Sequence, residues 1–176
     1  MRPSPWLVLP AACGLLVLMG MALAPAESRV KIKGVHLCCA SCVKGVTAAI
    51  QGIEGITATC DQETESITLS ARSDSVIQQA LDAIGAAGYF GDTRNTRLAI
   101  HSASVPRGKV KSLTLTGIHN CCGKCCGAIK AALKTVDGVK ADTAKPKSNT
   151  FEVTGDFEPS ALLDALNAAG FNASVK

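Results

Sequence analysis

Residues 34–55 read GVHLCCASCVKGVTAAIQGIEG, and residues 117–138 read GIHNCCGKCCGAIKAALKTVDG. The offset is 83 throughout: Gly34 aligns with Gly117, His36 with His119, and Cys38, Cys39 and Cys42 with Cys121, Cys122 and Cys125. Further on, Leu81-Asp82-Ala83-Ile84 aligns with Leu163-Asp164-Ala165-Leu166, and Ala87-Gly88-Tyr89 with Ala169-Gly170-Phe171, now at offset 82. Self-similarity at one long period is the mark of a duplicated unit. The chain therefore reads as two repeats, 28–94 and 108–176, with a polar linker over 95–107 that contains Pro106.

Each repeat carries the same alternation of patterns. Val30 and Ile32, matched by Leu113 and Leu115, alternate with polar residues as a strand requires. A Gly-containing loop with the cysteines follows, and then apolar residues at helical spacing: Val46, Ile50 and Ile53, matched by Ile129, Leu133 and Val136. Gly55-Ile56 and Gly138-Val139 open a second strand, with Ile56, Ala58 and Cys60, or Val139, Ala141 and Thr143, on its inward face. Ile67 and Leu69, or Phe151 and Val153, mark a third. A second helix starts near Ser75, where Gln78 three positions on suggests a capping box, and near Pro159 in the copy. It ends at Gly88 and Gly170, which suit a left-handed cap, and a short last strand follows. The order βαββαβ predicts an α+β fold: two tandem ferredoxin-like domains after an N-terminal signal peptide.

That leader is residues 1–26. Arg2 precedes a charge-free apolar run from Trp6 to Leu23, and Ala24-Pro25-Ala26 offers the small residues a signal peptidase reads. Cleavage near Ala26 makes the mature protein an exported one, periplasmic or extracellular; a retained leader would instead anchor it to a membrane. Cys13 lies in the leader, and Pro10-Ala11-Ala12-Cys13 lacks the aliphatic residue of a lipidation site. In the whole chain, 18 Lys and Arg face 14 Asp and Glu, without a basic cluster, and only six residues are aromatic. Nucleic acid is thus not an expected partner.

The frame of strand, Cys-x-x-Cys entering a helix, Gly-Val/Ile, and a closing Ala-Gly-Tyr/Phe resembles the heavy-metal-associated (HMA) domain. That family includes copper chaperones, modules of metal-pumping ATPases and the periplasmic mercury-binding protein. The resemblance maps the family's cysteine pair onto Cys39 and Cys42, and onto Cys122 and Cys125. It implies metal transfer by attack of a partner's thiolates, and so a metal-transporting membrane ATPase or another metal-binding domain as partner. Tyr89 and Phe171 fall where bacterial members often place a Tyr near the metal loop. Three departures stand out. The family's Met before the pair is Leu37 in one repeat and Asn120 in the other, its usual Thr has become Cys38 and Cys121, and a His precedes both loops.

Two thiols three residues apart, one of them in the first helical turn, can hold one ion, and the helix N-terminus favours the thiolate. Thiolates select soft ions, here Cu(I) or zinc with mercury as a further candidate, one ion per domain. Each loop reads His-x-Cys-Cys-x-x-Cys, so Cys38, Cys121, His36 and His119 are candidate additional ligands to metal. Plainer readings are that the pairs are disulfides in an oxidising compartment, that Cys38 and Cys121 are idle, and that the histidines only cap strand ends. Cys126 stands where repeat one has Val43, and Cys60 shares a face with Ile56 and Ala58; both read as core.

The function expected from this set is sequestration or relay of a thiophilic ion by an exported, non-catalytic protein. A thiol–disulfide redox protein and a disulfide-stapled interaction module are the alternatives. No nucleophile–base pair and no Gly-rich phosphate loop stands out in the sequence, so no enzymatic activity is expected.

Overall fold

The computed structural model describes residues 27–176; residues 1–26, where the sequence reading puts a leader, Cys13 and a cleavage point, lie outside the described residues. The element order is β1 (Ser28–Lys33), α1 (Ala40–Ile50), β2 (Ile56–Asp61), β3 (Ser66–Ala71), α2 (Asp74–Ala86), β4 (Val110–Thr116), α3 (Gly123–Lys134), β5 (Val139–Asp142), β6 (Phe151–Phe157), α4 (Pro159–Ala168) and β7 (Ser174–Val175). Two antiparallel sheets result, ordered β1-β3-β2 and β5-β6-β4-β7. The second is the split-βαβ order, with the last strand beside the first.

In the first sheet Ile32, Ile67 and Cys60 form one cross-strand row, and Val30, Leu69 and Ala58 the next. Their inward face meets Val46 and Ile50 of α1 and Ile77, Leu81 and Ile84 of α2, all buried. The second sheet repeats this with Leu115 opposite Phe151 and Leu113 opposite Val153, packed with Ile129, Leu133, Leu162 and Leu166. Cys126 is buried in this core and Cys60 is half-buried on β2.

Four local features differ from the sequence reading. The last strand of the first unit shrinks to a single bridge between Lys33 and Asp92. On β5 the inward face is lost after Val139. A bulge shifts the register between Val139 and Ala141, so Ala141 and Thr143 are exposed, as an extra residue reverses the alternation. Helix α2 is capped by Ser73, whose hydroxyl accepts from the Val76 amide at 3.4 Å, and not through Ser75. Gln78 instead clamps the backbone of Ala99 on both sides, accepting from its N–H at 3.2 Å and donating to its carbonyl at 2.9 Å.

That clamp shows the connecting segment to be packed. Leu98 and Ile100 are buried in the common core, and Ile100 lies over Gly85. The Asn172 amide donates to the carbonyls of Gly85 and His101, and Asn167 donates to Ser102. Residues 98–102 thus strap α2 to the segment that follows α4.

The two units meet along a two-fold-like seam after α2 and α4. Both helices end at glycines in the left-handed region, Gly88 (φ +87°) and Gly170 (φ +85°). The Gly88 carbonyl accepts from the amides of His119 and Asn172, at 3.4 and 3.0 Å. The Gly170 carbonyl accepts from His36 and Phe90, at 3.5 and 3.1 Å. Tyr89 and Phe171 pair between them as an antiparallel bridge. A Cβ on either glycine would run into the backbone of the opposite histidine loop, so only glycine permits this approach.

Candidate metal centre

The seam brings the two cysteine loops face to face. Cys39 and Cys122 are the N-cap residues of α1 and α3, extended at φ −162° and −154°. Cys42 and Cys125 follow in the first turn, fully buried, and Cys38 and Cys121 lie on the approach, half-buried. The six sulfurs interleave. Within the loops, Cys38–Cys42 and Cys39–Cys42 are both 3.7 Å apart, Cys121–Cys125 3.6 Å and Cys122–Cys125 3.7 Å. Between the loops, Cys38 lies 3.5 Å from Cys125 and 3.9 Å from Cys122. Cys121 lies 3.8 Å from Cys39 and 3.9 Å from Cys42, and Cys42 lies 3.9 Å from Cys125. The ligand sets of the two loops therefore lie side by side, with Cys38, Cys39 and Cys42 still grouped within the first loop and further groups drawing members from both.

Both histidines reach it differently from what their matched positions suggest. His119 shares a ligand-range group with Cys42, Cys121 and Cys125, and His36 shares one with Cys38 and Cys125. Each imidazole packs against the aromatic residue of the other unit: His36 is tilted against Phe171 with centroids 4.5 Å apart, and His119 stacks on Tyr89 at 4.3 Å. The Tyr89 hydroxyl donates to the Cys42 carbonyl at 2.8 Å and lies 3.1 Å from His119 Nε2. Phe171 has no hydroxyl to offer, and His36 Nε2 is buried without a partner.

Burial opposes charge on most of these groups. It pushes the Cys38 thiol up to about 12 and Cys42 up to about 11, raises Cys121 and Cys125, and lowers both imidazoles, which favours their neutral form. The two N-cap cysteines run the other way. The amides of Cys42 and Ser41 in the first turn of α1 bring Cys39 down to about 6, and the amides of Cys125 and Lys124 lower Cys122. Each loop thus has one half-buried, readily ionised thiol at the helix N-cap, backed by protonated ones that ionise when a cation replaces their protons.

All eight sequence-derived candidates, Cys38, Cys39, Cys42, Cys121, Cys122, Cys125, His36 and His119, gather at this one place. Asn120, where the family has Met, is buried and donates to the carbonyls of Lys145 and Ser148 at 2.8 and 3.1 Å, so it pins its loop by hydrogen bonds instead of apolar packing. Two contributors escaped the sequence reading. Asn172 ties the seam to the strap, and Gly45 in mid-α1 leaves the space that the Tyr89 hydroxyl fills. A signal for the second was present: Gly45 and Tyr89 change together to Ala128 and Phe171 in the copy.

Comparison with known proteins agrees with the chemistry of this site. Residues 116–172 match the heavy-metal-associated domain. Copper-transporting ATPase 2 of Rhizobium meliloti (strain 1021) is 28% identical over 151 residues, which is 84% of this chain and 16% of the ATPase. The chain thus spans about a sixth of that relative. The N-terminal soluble domains of Bacillus subtilis CopA superpose with a TM-score of 0.32 at 15% identity, over 88% of this chain and 97% of that one. The match to the heavy-metal-associated domain thus falls on 116–172, the segment that holds the second cysteine loop with Cys121, Cys122 and Cys125.

Proposed function

We propose that this protein is a non-catalytic binder of Cu(I), which it sequesters or relays through its two cysteine loops. The observation that carries the reading is the gathering of six thiols and two imidazoles at one half-buried point. Among the described residues its ligand-range groups contain only Cys and His, a donor set that discriminates against hard cations. Similarity to part of a copper-transporting ATPase favours Cu(I) over zinc or mercury, and makes such an ATPase, or another metal-binding domain, a fitting acceptor or donor. The low-pKa Cys39, on the exposed side of the loop, is the thiolate that a partner site would exchange with first. We also read the protein as exported, on the charge-free apolar run from Trp6 to Leu23 and on Ala24-Pro25-Ala26.

A thiol–disulfide role is favoured by one feature, the contrast between a lowered Cys39 and a raised Cys42 in one Cys-x-x-Cys. Anaerobic purification followed by metal analysis and thiol counting separates the two. The metal reading expects copper bound to reduced cysteines. Metal-free protein with paired cysteines, unable to take up Cu(I) after reduction, would reject it.

A further inference from the structure

We propose that the two loops form one polynuclear Cu(I)–thiolate cluster of four ions, in place of one ion per loop. The inference rests on the soft-metal reading above and specifies the site. Among the six sulfurs, four triangles have all three edges at 3.9 Å or less: Cys38/Cys42/Cys125, Cys42/Cys121/Cys125, Cys38/Cys122/Cys125 and Cys39/Cys42/Cys121. Every one takes sulfurs from both loops. Exchanging Cys38 with Cys121, Cys39 with Cys122 and Cys42 with Cys125 maps the first triangle onto the second and the third onto the fourth. The duplication is thus expressed as a symmetry of one site.

The edge lengths are those a thiolate-bound ion requires. With a metal–sulfur bond of about 2.3 Å, three sulfurs around a trigonal ion stand about 4.0 Å apart, and four around a tetrahedral one about 3.8 Å. The edges here run from 3.5 to 3.9 Å. The first loop alone brings Cys38, Cys39 and Cys42 within 4.8 Å of one another, but each of the four triangles with edges of 3.9 Å or less spans both loops. Cys42 and Cys125 each belong to three triangles, Cys38 and Cys121 to two, and Cys39 and Cys122 to one. The buried cysteines are the bridges and the N-cap cysteines the outer corners.

Charge selects the monovalent ion. Four Cu(I) with six thiolates leave a charge of −2, and the N-termini of α1 and α3, capped by Cys39 and Cys122, present their positive ends to it. Four divalent ions would leave +2 against the same two helix ends, and no carboxylate joins the ligand-range groups of the described residues. Binding releases the thiol protons to solvent as each cation enters. His36, in range of Cys38 and Cys125 with its Nε2 unpartnered, gives one end of the cluster a neutral donor.

The test is anaerobic titration of the reduced chain with Cu(I) in the presence of a competing chelator, read by native mass spectrometry and X-ray absorption. The expected result is cooperative filling to four ions, with sulfur neighbours and a copper–copper scattering shell. Cys39→Ser removes one triangle and should leave three ions; Cys42→Ser removes three and should leave one. Two independent sites would instead bind two ions in succession and lose one with either substitution, an outcome that overturns the cluster and leaves copper binding standing. Failure of the reduced protein to bind Cu(I) at all would overturn both. Circular dichroism of each variant confirms the fold, and if Cys42→Ser does not fold, the stoichiometry of the unsubstituted chain and of Cys39→Ser decides.

Discussion

The Tyr89 hydroxyl lies 3.1 Å from His119 Nε2, a contact between residues of different units. The same hydroxyl faces the Cys42 carbonyl at 2.8 Å. A carbonyl only accepts, so the hydroxyl proton goes to Cys42 and the imidazole Nε2–H donates to the tyrosine oxygen. The neutral His119 is thereby held with its lone pair on Nδ1. Tyr89→Phe removes both bonds and leaves the His119 Nε2–H without its partner, while the Cys42 carbonyl keeps its bond within α1, a loss of about 1–3 kcal/mol. Denaturant unfolding of the reduced, metal-free protein should show a lower midpoint; an unchanged one would mean that the contact contributes nothing.

Gly170 is the mirror position of Gly88, and the seam depends on both. Gly170→Ala would place a Cβ against the His36 amide and the Gly34 carbonyl, at a backbone conformation of φ +85° that alanine avoids. Each sheet is covered by its own pair of helices, so the expected damage is separation of the units, with the cysteine loops parted. Small-angle scattering should report a more extended particle, while the far-ultraviolet circular dichroism stays close to that of the parent. A particle of unchanged dimensions would show that the approach tolerates a methyl group.

The strap makes a separate prediction. Gln78 holds Ala99 by two hydrogen bonds, and Arg97 beside it is exposed. Gln78→Ala should free residues 98–102 at a loss of about 1–2 kcal/mol, which speeds trypsin cleavage at Arg97 by about five- to thirty-fold. Equal cleavage rates in the two proteins would show that the clamp does not hold the strap.

The contrast between Gln78 and the cysteine loops explains what the sequence could disclose. Apolar period, glycine stops and the repeated His-x-Cys-Cys-x-x-Cys are local patterns, and they placed the strands, the helices and all eight candidate ligands. The meeting of the loops depends on backbone groups, the carbonyls of Gly88 and Gly170 and the amides of His36 and His119, and backbone groups leave no trace in residue identity. Gln78 looked like part of a cap because Ser75 stands three residues before it, yet Ser73 took the cap and left the amide free to reach the strap. The bulge at Val139 likewise follows from pairing with β6, where Gly155 sits opposite, and not from anything within the strand.

Thiol reactivity should follow position in the loop. Cys39, brought down to about 6 by the first-turn amides, is a thiolate at neutral pH, whereas Cys42 and Cys38, pushed up to about 11 and 12 by burial, are protonated. A lowered pKa leaves the reactive form present above about pH 6 and removes it as the pH falls through that value. Brief alkylation of the reduced, metal-free protein at pH 7.5 should label Cys39 before Cys42 and Cys38, with Cys122 also ahead of Cys125. At pH 5 the preference for Cys39 should fade. Peptide mapping showing uniform labelling at pH 7.5 would contradict the helix-terminus effect.

Gly45 and Tyr89 form a coupled pair, replaced together by Ala128 and Phe171 in the other unit. A Cβ on Gly45 would collide with the Tyr89 hydroxyl and crowd the His119 ring. Alanine in mid-helix is ordinarily better than glycine by about 0.5–1 kcal/mol. Gly45→Ala alone should nevertheless destabilise the protein, because the hydroxyl must leave the Cys42 carbonyl to make room. In a Tyr89→Phe background the obstacle is gone, and the same substitution should be neutral or recover the helix gain. The double-mutant cycle should thus return a favourable coupling of about 1–3 kcal/mol from denaturant midpoints. Additive effects of the two substitutions would show that the hydroxyl does not need the space that Gly45 leaves, and would remove the physical reason for the paired difference between the units.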